Sequence, residues 1–273
     1  PQTTDRLKAL SRSQGVTLFM TFLSAFKTLL FRYNGQEDCV VGAPIANRPR
    51  KELEPLIGFF ANTLVLRTQL AGDPSFLDLL GRVRSTALDA YAHQDVALER
   101  IVEQLKIPRD PGRTPLFQVM FAFQNVPELP GTVSPAWPAT DDVAGPSFDL
   151  AQGLSARPLR IDNAVAKFDL TLYLSETPDG MRATWQFNAD LYEPAAIDRL
   201  ARHFQTLLEA VSSDPGQKLS ELPLLSEAER RQIEIDWNRT EAVDVLGQDY
   251  VRLFEAQAER TPDAAAVVGQ DRQ

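Results

Sequence analysis

The chain has 273 residues, 44% of them hydrophobic, which is enough for a substantial core and for one large domain or two ordinary ones. Twenty-eight basic against 37 acidic residues leave a net charge of -9 with no basic cluster, which argues against a nucleic-acid binder. One cysteine excludes an internal disulfide framework and fits a reducing, cytoplasmic setting. The start "PQTTDRLKAL" has no signal pattern, and no run reaches the roughly 18 apolar residues of a membrane span.

From Thr17 to Arg32, "TLFMTFLSAFKTLLFR" is apolar almost all round, as a central buried helix is, and "YNG" supplies its stop. "CVVGAPI" reads as a strand in which Cys39 is a small buried filler rather than a nucleophile. It runs into the loop "ANRPRKELEP", whose Arg48, Arg50 and Lys51 read as solvated charge. "IGFFANTLVLR", Ile57 to Arg67, has apolar residues at odd and even positions alike and so reads as a strand buried on both faces. Asn62 and Thr63 interrupt it. A buried amide without partners costs about 1 to 3 kcal/mol, so the pair is expected to have a hydrogen-bonding role there.

In "GDPSFLDLLGRVRSTALDAYAHQD", Asp73 or Ser75 is placed to cap a long helix whose core stripe is Phe76, Leu79, Leu80, Val83, Ala87 and Tyr91. Asp95 is expected to cap a short second helix, "VALERIVEQL", and "KIPRDPGRTP" returns the chain to the strand "LFQVMFAFQN", with one core face and one mixed face. The proline-rich "VPELPGTVSPAWPATDDVAGPSF" has no periodicity and reads as a crossing loop. "AVAKFDLTLYL" and "MRATWQFN" flank the turn chemistry of "SETPDG" and predict an antiparallel pair. A helix with Ile197, Leu200, Phe204, Leu207, Leu208 and Val211 on one side follows. "SSDPGQKLSELPLL" is linker-like, which puts a boundary near Ser212, and a Ser226/Glu229 capping box opens the next helix. The chain reads as a piece of a longer protein, since it ends on a strand and turn, "AAAVVGQDRQ", with nothing to pair against.

A search for catalytic sets returns little. There are two histidines, and neither a Ser/His/Asp arrangement nor metal-ligand spacing is evident. His203 lies beside the core stripe of its helix and reads as packing or surface. His93 ends the long helix, where a cation is favoured by about 0.3 to 1 kcal/mol, which is a structural role.

Several phrases together carry a resemblance. "IGFFANTLVLR" looks like an I-G-x-F-x-N-T-x-x-x-R box, "AYAHQDVALERIV" resembles an H-Q-D-x-P-F-E box, and "RDPGRTPLFQVMFAFQN" resembles an R-D-x-S-R-x-P-L box. In this order they resemble the condensation domains of nonribosomal peptide synthetases, over roughly Thr4 to Val211. "LPLLSEAERRQIEIDWNRT" resembles the segment joining condensation to adenylation domains, and "LFEAQAERTPDAAAVV" resembles the start of an adenylation domain. Val96-Ala97-Leu98 replaces the usual aliphatic-Pro-Phe, and Gly112 stands where Ser is common.

The resemblance implies an α/β fold, an α+β sandwich like chloramphenicol acetyltransferase, with a mixed sheet packed with helices and only the second of two lobes present. The layout it implies is a condensation lobe over 1–211, a linker over 212–240 and an incomplete adenylation domain over 241–273. The family's H-H-x-x-x-D-G motif is not in this sequence, so no catalytic residue is assigned, and no metal. The implied reaction joins two thioesters tethered on phosphopantetheine arms; no cofactor is held directly. Upstream and downstream peptidyl carrier domains, the first condensation lobe and the adenylation domain are the implied partners. A noncatalytic lobe that docks carrier domains and a stand-alone acyltransferase relying on His93 are the rival readings. Asn47, Arg48, Asn62, Thr63 and Arg67 are the tunnel-lining candidates. Asn62 and Thr63 either face the tunnel, or bond the loop that shapes it, or only hold the sheet. His93, Gln94, Asp95, Arg109, Asp110 and Arg113 are motif residues, with Arg109, Asp110 and Arg113 either bracing the wall as an ion pair or pairing at the surface.

Overall fold

The computed structural model describes residues 1–48, 50–107, 110, 112–124, 148–151, 153–156, 165–177, 179–240 and 249–265. A mixed sheet of five strands runs in the spatial order Asn62–Gln69 (β2), Asp38–Ile45 (β1), Val119–Gln124 (β3), Leu170–Thr177 (β6) and Gly180–Phe187 (β7). The outer pairs are antiparallel hairpin-like neighbours, while β1–β3 and β3–β6 are parallel. A separate antiparallel pair, Phe148–Ala151 (β4) and Leu154–Ala156 (β5), turns through Gly153 at φ 77, a conformation glycine adopts without strain. Most of the crossing loop expected over "VPELPGTVSPAWPATDDVAGPSF" lies outside the described residues.

The helices are Gln2–Ser13 (α1), Leu18–Asn34 (α2), Phe76–Ala92 (α3), Leu98–Leu105 (α4) and Pro194–Ser213 (α5). Sequence periodicity singles out α2, α3 and α5 but not α1. Thr17 caps α2 by accepting from the Met20 N–H at 3.3 Å, and Gly35 at φ 69 ends it. Phe26 of α2 meets Phe121 of β3, Trp185 of β7 and Phe204 of α5 at ring separations of 5.7, 5.9 and 6.4 Å, so one aromatic cluster fastens the helix layer to the sheet. Gly42 in β1 allows the Phe117 ring to lie where a Cβ would be 2.2 Å away. Among the described residues no single helix is long and apolar enough to cross a membrane.

Lys27 is a charge in the middle of the apolar run of α2 and is fully buried. Its ammonium donates to the carbonyls of Cys39 and Leu66 at 3.2 and 2.7 Å and to Thr68 Oγ1 at 2.8 Å, tying α2 to β1 and β2. Burial pulls its pKa down to about 8. His203 is buried on α5 with Nδ1 2.6 Å from the Tyr33 hydroxyl, which is a packing role.

Four expectations are corrected. First, Ile57 to Phe60 is not strand: β2 starts at Asn62, and Ile57 and Phe59 are 104% and 94% exposed, because the segment lies beyond the end of the ladder with β1. Second, β3 is central, between β1 and β6: its expected core face, Val119, Phe121 and Phe123, does pack into the core, and what differs is that Met120 and Ala122 of the mixed face are buried too. Third, Asp95 does not cap α4. Ala97 occupies that position without a side-chain cap, and residues 93–96 form a turn closed by Val96 N–H to the His93 carbonyl at 3.1 Å.

Fourth, the segment after α5 is not a free linker, and the first compact unit runs from Pro1 to Ser226. Leu219 and Leu222 are fully buried. Arg32 donates to both of their carbonyls at 2.7 and 2.6 Å, and Asp73 accepts from the Ser220 N–H and hydroxyl at 3.0 and 2.8 Å. Ser75, rather than Asp73, caps α3, in a capping box with Asp78. The second unit, from Glu227, holds Glu227–Arg231 (α6), which runs into a π-helical turn over Gln232–Asp236, and Tyr250–Arg260 (α7), which is capped by Asp249.

Candidate functional site

The first residue of β2 organises the site. Asn62 pairs with Ile45 at the end of the β1–β2 ladder, so its side chain is free to reach out of the sheet. Its Nδ2 donates to the carbonyls of Gln94 and Val96, each at 2.8 Å, and its Oδ1 accepts from the Thr63 N–H at 2.8 Å. Both hydrogens of the amide are therefore used on the turn between α3 and α4. The Asn-Thr and His-Gln-Asp phrases, distant in sequence, meet here through one side chain.

That clasp holds the start of α4 between two cavities. A cavity of about 320 Å³ is lined by Asn47, Phe59, Asn62, Thr63, Asp95 and Glu99 among others. A larger one of about 1060 Å³ lies along α4 and is lined by Glu99, Val102, Lys106, Asp110, Arg113 and Leu116 among others. Leu98 and Glu99 line both. Leu116 has φ 73, a left-handed conformation uncommon for a bulky residue, at the entrance to β3.

The remaining sequence candidates divide. Asn47, at φ 50 in the loop after β1, lines the smaller cavity, and its Oδ1 is buried with no hydrogen-bond partner among the described residues. Arg48 instead staples its own loop. It donates to the carbonyl of Leu53, and to those of Glu54 and Gly58 at 3.3 Å, while its guanidinium sits 4.2 Å over the Phe60 ring. Arg67 is at the other end of β2, about 17 Å from Asn62 at the rise of a strand. There it pairs with Asp38 at 2.6 to 3.1 Å, and its hydrogen bond holds the Asp38 carboxyl below the usual range.

His93 and Gln94 end α3 and form the turn, with His93 exposed and contributing its backbone. Asp95 lines the smaller cavity. Arg109 lies outside the described residues. Asp110 accepts from the Gly112 N–H at 2.9 Å and Arg113 N–H reaches the Asp110 carbonyl at 3.2 Å, so these residues build a turn; among the described residues no ion pair joins Asp110 to Arg113. Glu99 and Leu98, shared by both cavities, are absent from the sequence candidates. The signal for Glu99 is its place at the end of the "HQDVALE" phrase. Lys27 is signalled by being a charge in mid-helix with apolar residues almost all round, away from the last turn where Arg32 sits.

A sequence model of the family described as "Condensation domain" matches residues 1–234. One of the linear gramicidin synthase proteins of Brevibacillus parabrevis is 45% identical over 271 residues, covering 98% of this chain and 3% of the synthase protein. Two solved structures share the fold. The X-domain in its complex with OxyB from teicoplanin biosynthesis has a TM-score of 0.67 at 27% identity, covering 83% of this chain and 46% of that one. The first condensation domain of the CDA synthetase has a TM-score of 0.62 at 19% identity, with the same 83% and 46% covered. The chain thus spans a small part of the synthase protein and just under half of each solved chain. With a family match over most of its length, on a mixed sheet whose motif phrases converge at Asn62, this chain belongs to the condensation domains of nonribosomal peptide synthetases.

Proposed function

We propose that the chain forms one wall of a condensation site in which the amine of a carrier-tethered aminoacyl thioester attacks the carbonyl of a second, peptidyl or aminoacyl, thioester, forming the amide, breaking the C–S bond and releasing the thiol of the second arm. The observation that carries this reading is the Asn62 clasp, which joins two separate phrases beside two cavities that share Leu98 and Glu99, the larger of them lined also by Asp110 and Arg113 of a third phrase. A thioester is already activated, so positioning supplies most of the rate, and near-attack geometry contributes up to about 7 to 11 kcal/mol. Tethering adds effective concentrations of millimolar order without tight recognition. A wall of cavities with few catalytic side chains suits that division of labour.

The catalytic histidine pair of the family is not in this sequence, whose two histidines are His93 and His203. In this reading it belongs to the other lobe of the domain, and Ile57 and Phe59, exposed beside Asn62, are apolar surface for that lobe to cover. The arms of upstream and downstream carrier domains bring the substrates, and the chain itself holds no cofactor. The unit from Glu227 is the approach to an adenylation domain, which is supported by the alignment to the gramicidin synthase continuing over 98% of the chain. A second reading, a lobe that docks a partner without chemistry, draws on the X-domain, a neighbour solved as a complex with OxyB.

Single-turnover condensation on preloaded carriers separates these readings. The intact domain containing this chain is expected to form the amide bond, the isolated chain to give only the uncatalysed rate, and His93→Ala to leave the intact domain unchanged. An intact domain that binds both carriers and forms no bond would support docking. Turnover by the isolated chain that His93→Ala abolishes would promote the stand-alone acyltransferase.

A further inference from the structure

Asn47 follows β1 in a left-handed conformation, φ 50, that asparagine tolerates better than most residues. Asn47 lines the cavity of about 320 Å³, and its Oδ1 is buried with no donor among the described residues. An acceptor left so is destabilising, which natural structures tolerate where a ligand or water supplies the missing hydrogen.

The neighbouring groups in that cavity do not supply it. Asn62 has spent both amide hydrogens on the Gln94 and Val96 carbonyls, and its oxygen already accepts from Thr63 N–H. Asp95 and Glu99 bring carboxylates, which only accept. The Arg48 guanidinium, next in sequence, is turned away onto the carbonyls of Leu53 and Gly58 and the Phe60 ring. The side-chain donors left in the lining are the Thr63 hydroxyl and the amide nitrogen of Asn47 itself, and the volume is that of a pocket for one end of a small molecule.

We infer that Asn47 Oδ1 is a positioning acceptor for a nitrogen-bound hydrogen of the tethered substrate, carried by the aminoacyl amine or by an amide of its pantetheine arm. This rests on the condensation reading for the identity of the ligand. The hydrogen bond fixes the nitrogen at the mouth of α4, beside the two carboxylates. A phosphate at the same place meets the Asp95 and Glu99 carboxylates, which repel it.

The test uses the synthetase module that contains the chain, with Asn47→Gly and Asn47→Asp. Glycine adopts φ 50 without steric strain, so Asn47→Gly removes the side chain while the backbone conformation is kept. Asn47→Asp keeps an acceptor in place. Binding is read by calorimetry with two probes: pantetheine, which has amide N–H groups and no amine, and the glycyl amide of aminopantetheine, which has both. Asn47→Gly is expected to weaken binding about fivefold to tenfold, the loss of one hydrogen bond, while Asn47→Asp stays within about twofold.

Loss with both probes identifies the arm amide as the donor, and loss with the glycyl probe alone identifies the amine. Asn47→Gly binding both probes within twofold overturns the inference, as does a wild-type module that binds neither. A lowered unfolding temperature with unchanged probe affinity also overturns it and hands Asn47 to a protein contact. Condensation by the wild-type module is measured alongside. A module that shows the Asn47 dependence and forms no bond refutes the condensation reading and leaves the donor pocket standing.

Discussion

The side-chain nitrogen of Asn62 lies 2.8 Å from the carbonyl oxygen of Val96, and the same nitrogen reaches the Gln94 carbonyl at the same distance. One amide thus closes the turn that sets the direction of α4. Removing it in Asn62→Ala leaves two carbonyls without their donor and is expected to cost about 1 to 3 kcal/mol in a denaturant melt. Asn62→Asp is expected to cost more, because a carboxylate then faces two carbonyl oxygens. An Asn62→Asp chain as stable as wild type would show that the clasp does not hold in solution.

Lys27 predicts a pH dependence. Its folded pKa, about 8, is below the ordinary 10.5, so between these values the unfolded chain binds more protons and stability rises with pH. Below about pH 8 both states carry the charge, and the penalty of burying it is constant, on the order of 3 kcal/mol. Burial raises the Cys39 thiol and works in the opposite sense, so the readout is wild type against Lys27→Met. The stability of wild type relative to Lys27→Met should climb from pH 8 towards 10.5 and be flat from 6 to 7.5. A flat difference across the whole range would mean that Lys27 reaches water.

How much of this is legible in the sequence depends on what periodicity measures. The stripe from Phe76 to Ala87 and the wrap of apolar residues in α2 predict those helices and their burial, because a helix face repeats within a few residues. Ile57 to Phe60 misleads for the complementary reason. An apolar run reports a preference to leave water, not whether the chain supplies the cover, and here the segment stays exposed. The position of the cap on α4 is set by the Asn62 clasp from another strand, which no local pattern encodes. Leu219 and Leu222 sit in a stretch rich in turn residues, and their burial is decided by Arg32 and Asp73, far away in sequence. The phrases that resemble a family mark the candidate site well, yet Arg67, inside one of them, ends up at the far end of β2 with Asp38.

The strap after α5 makes a prediction for proteolysis. Residues 214–222 are held by Arg32, Asp73 and backbone bonds from Phe76, Leu77 and Leu219, and they should be protected along with the sheet. Arg32→Met keeps the length of the side chain and loses both carbonyl bonds, and should raise the cleavage rate within the strap several-fold while the sheet core is spared. Cleavage of the wild-type strap as fast as that of an exposed tail would return the boundary to Ser212.

The central claim, that the end of β2 at Asn62 lines the path of a carrier-borne arm, is tested most directly by thiol trapping. In the module containing this chain, Thr63→Cys and Arg67→Cys place a thiol at each end of β2, and the native Cys39 is buried. A carrier whose pantetheine sulfur is held as an activated disulfide exchanges with any thiolate it reaches, releasing the activating thiol. The account predicts a covalent carrier adduct with Thr63→Cys at a rate at least tenfold above that with Arg67→Cys, and none with the native chain. Equal rates at the two ends, or faster trapping at Arg67→Cys, would contradict it.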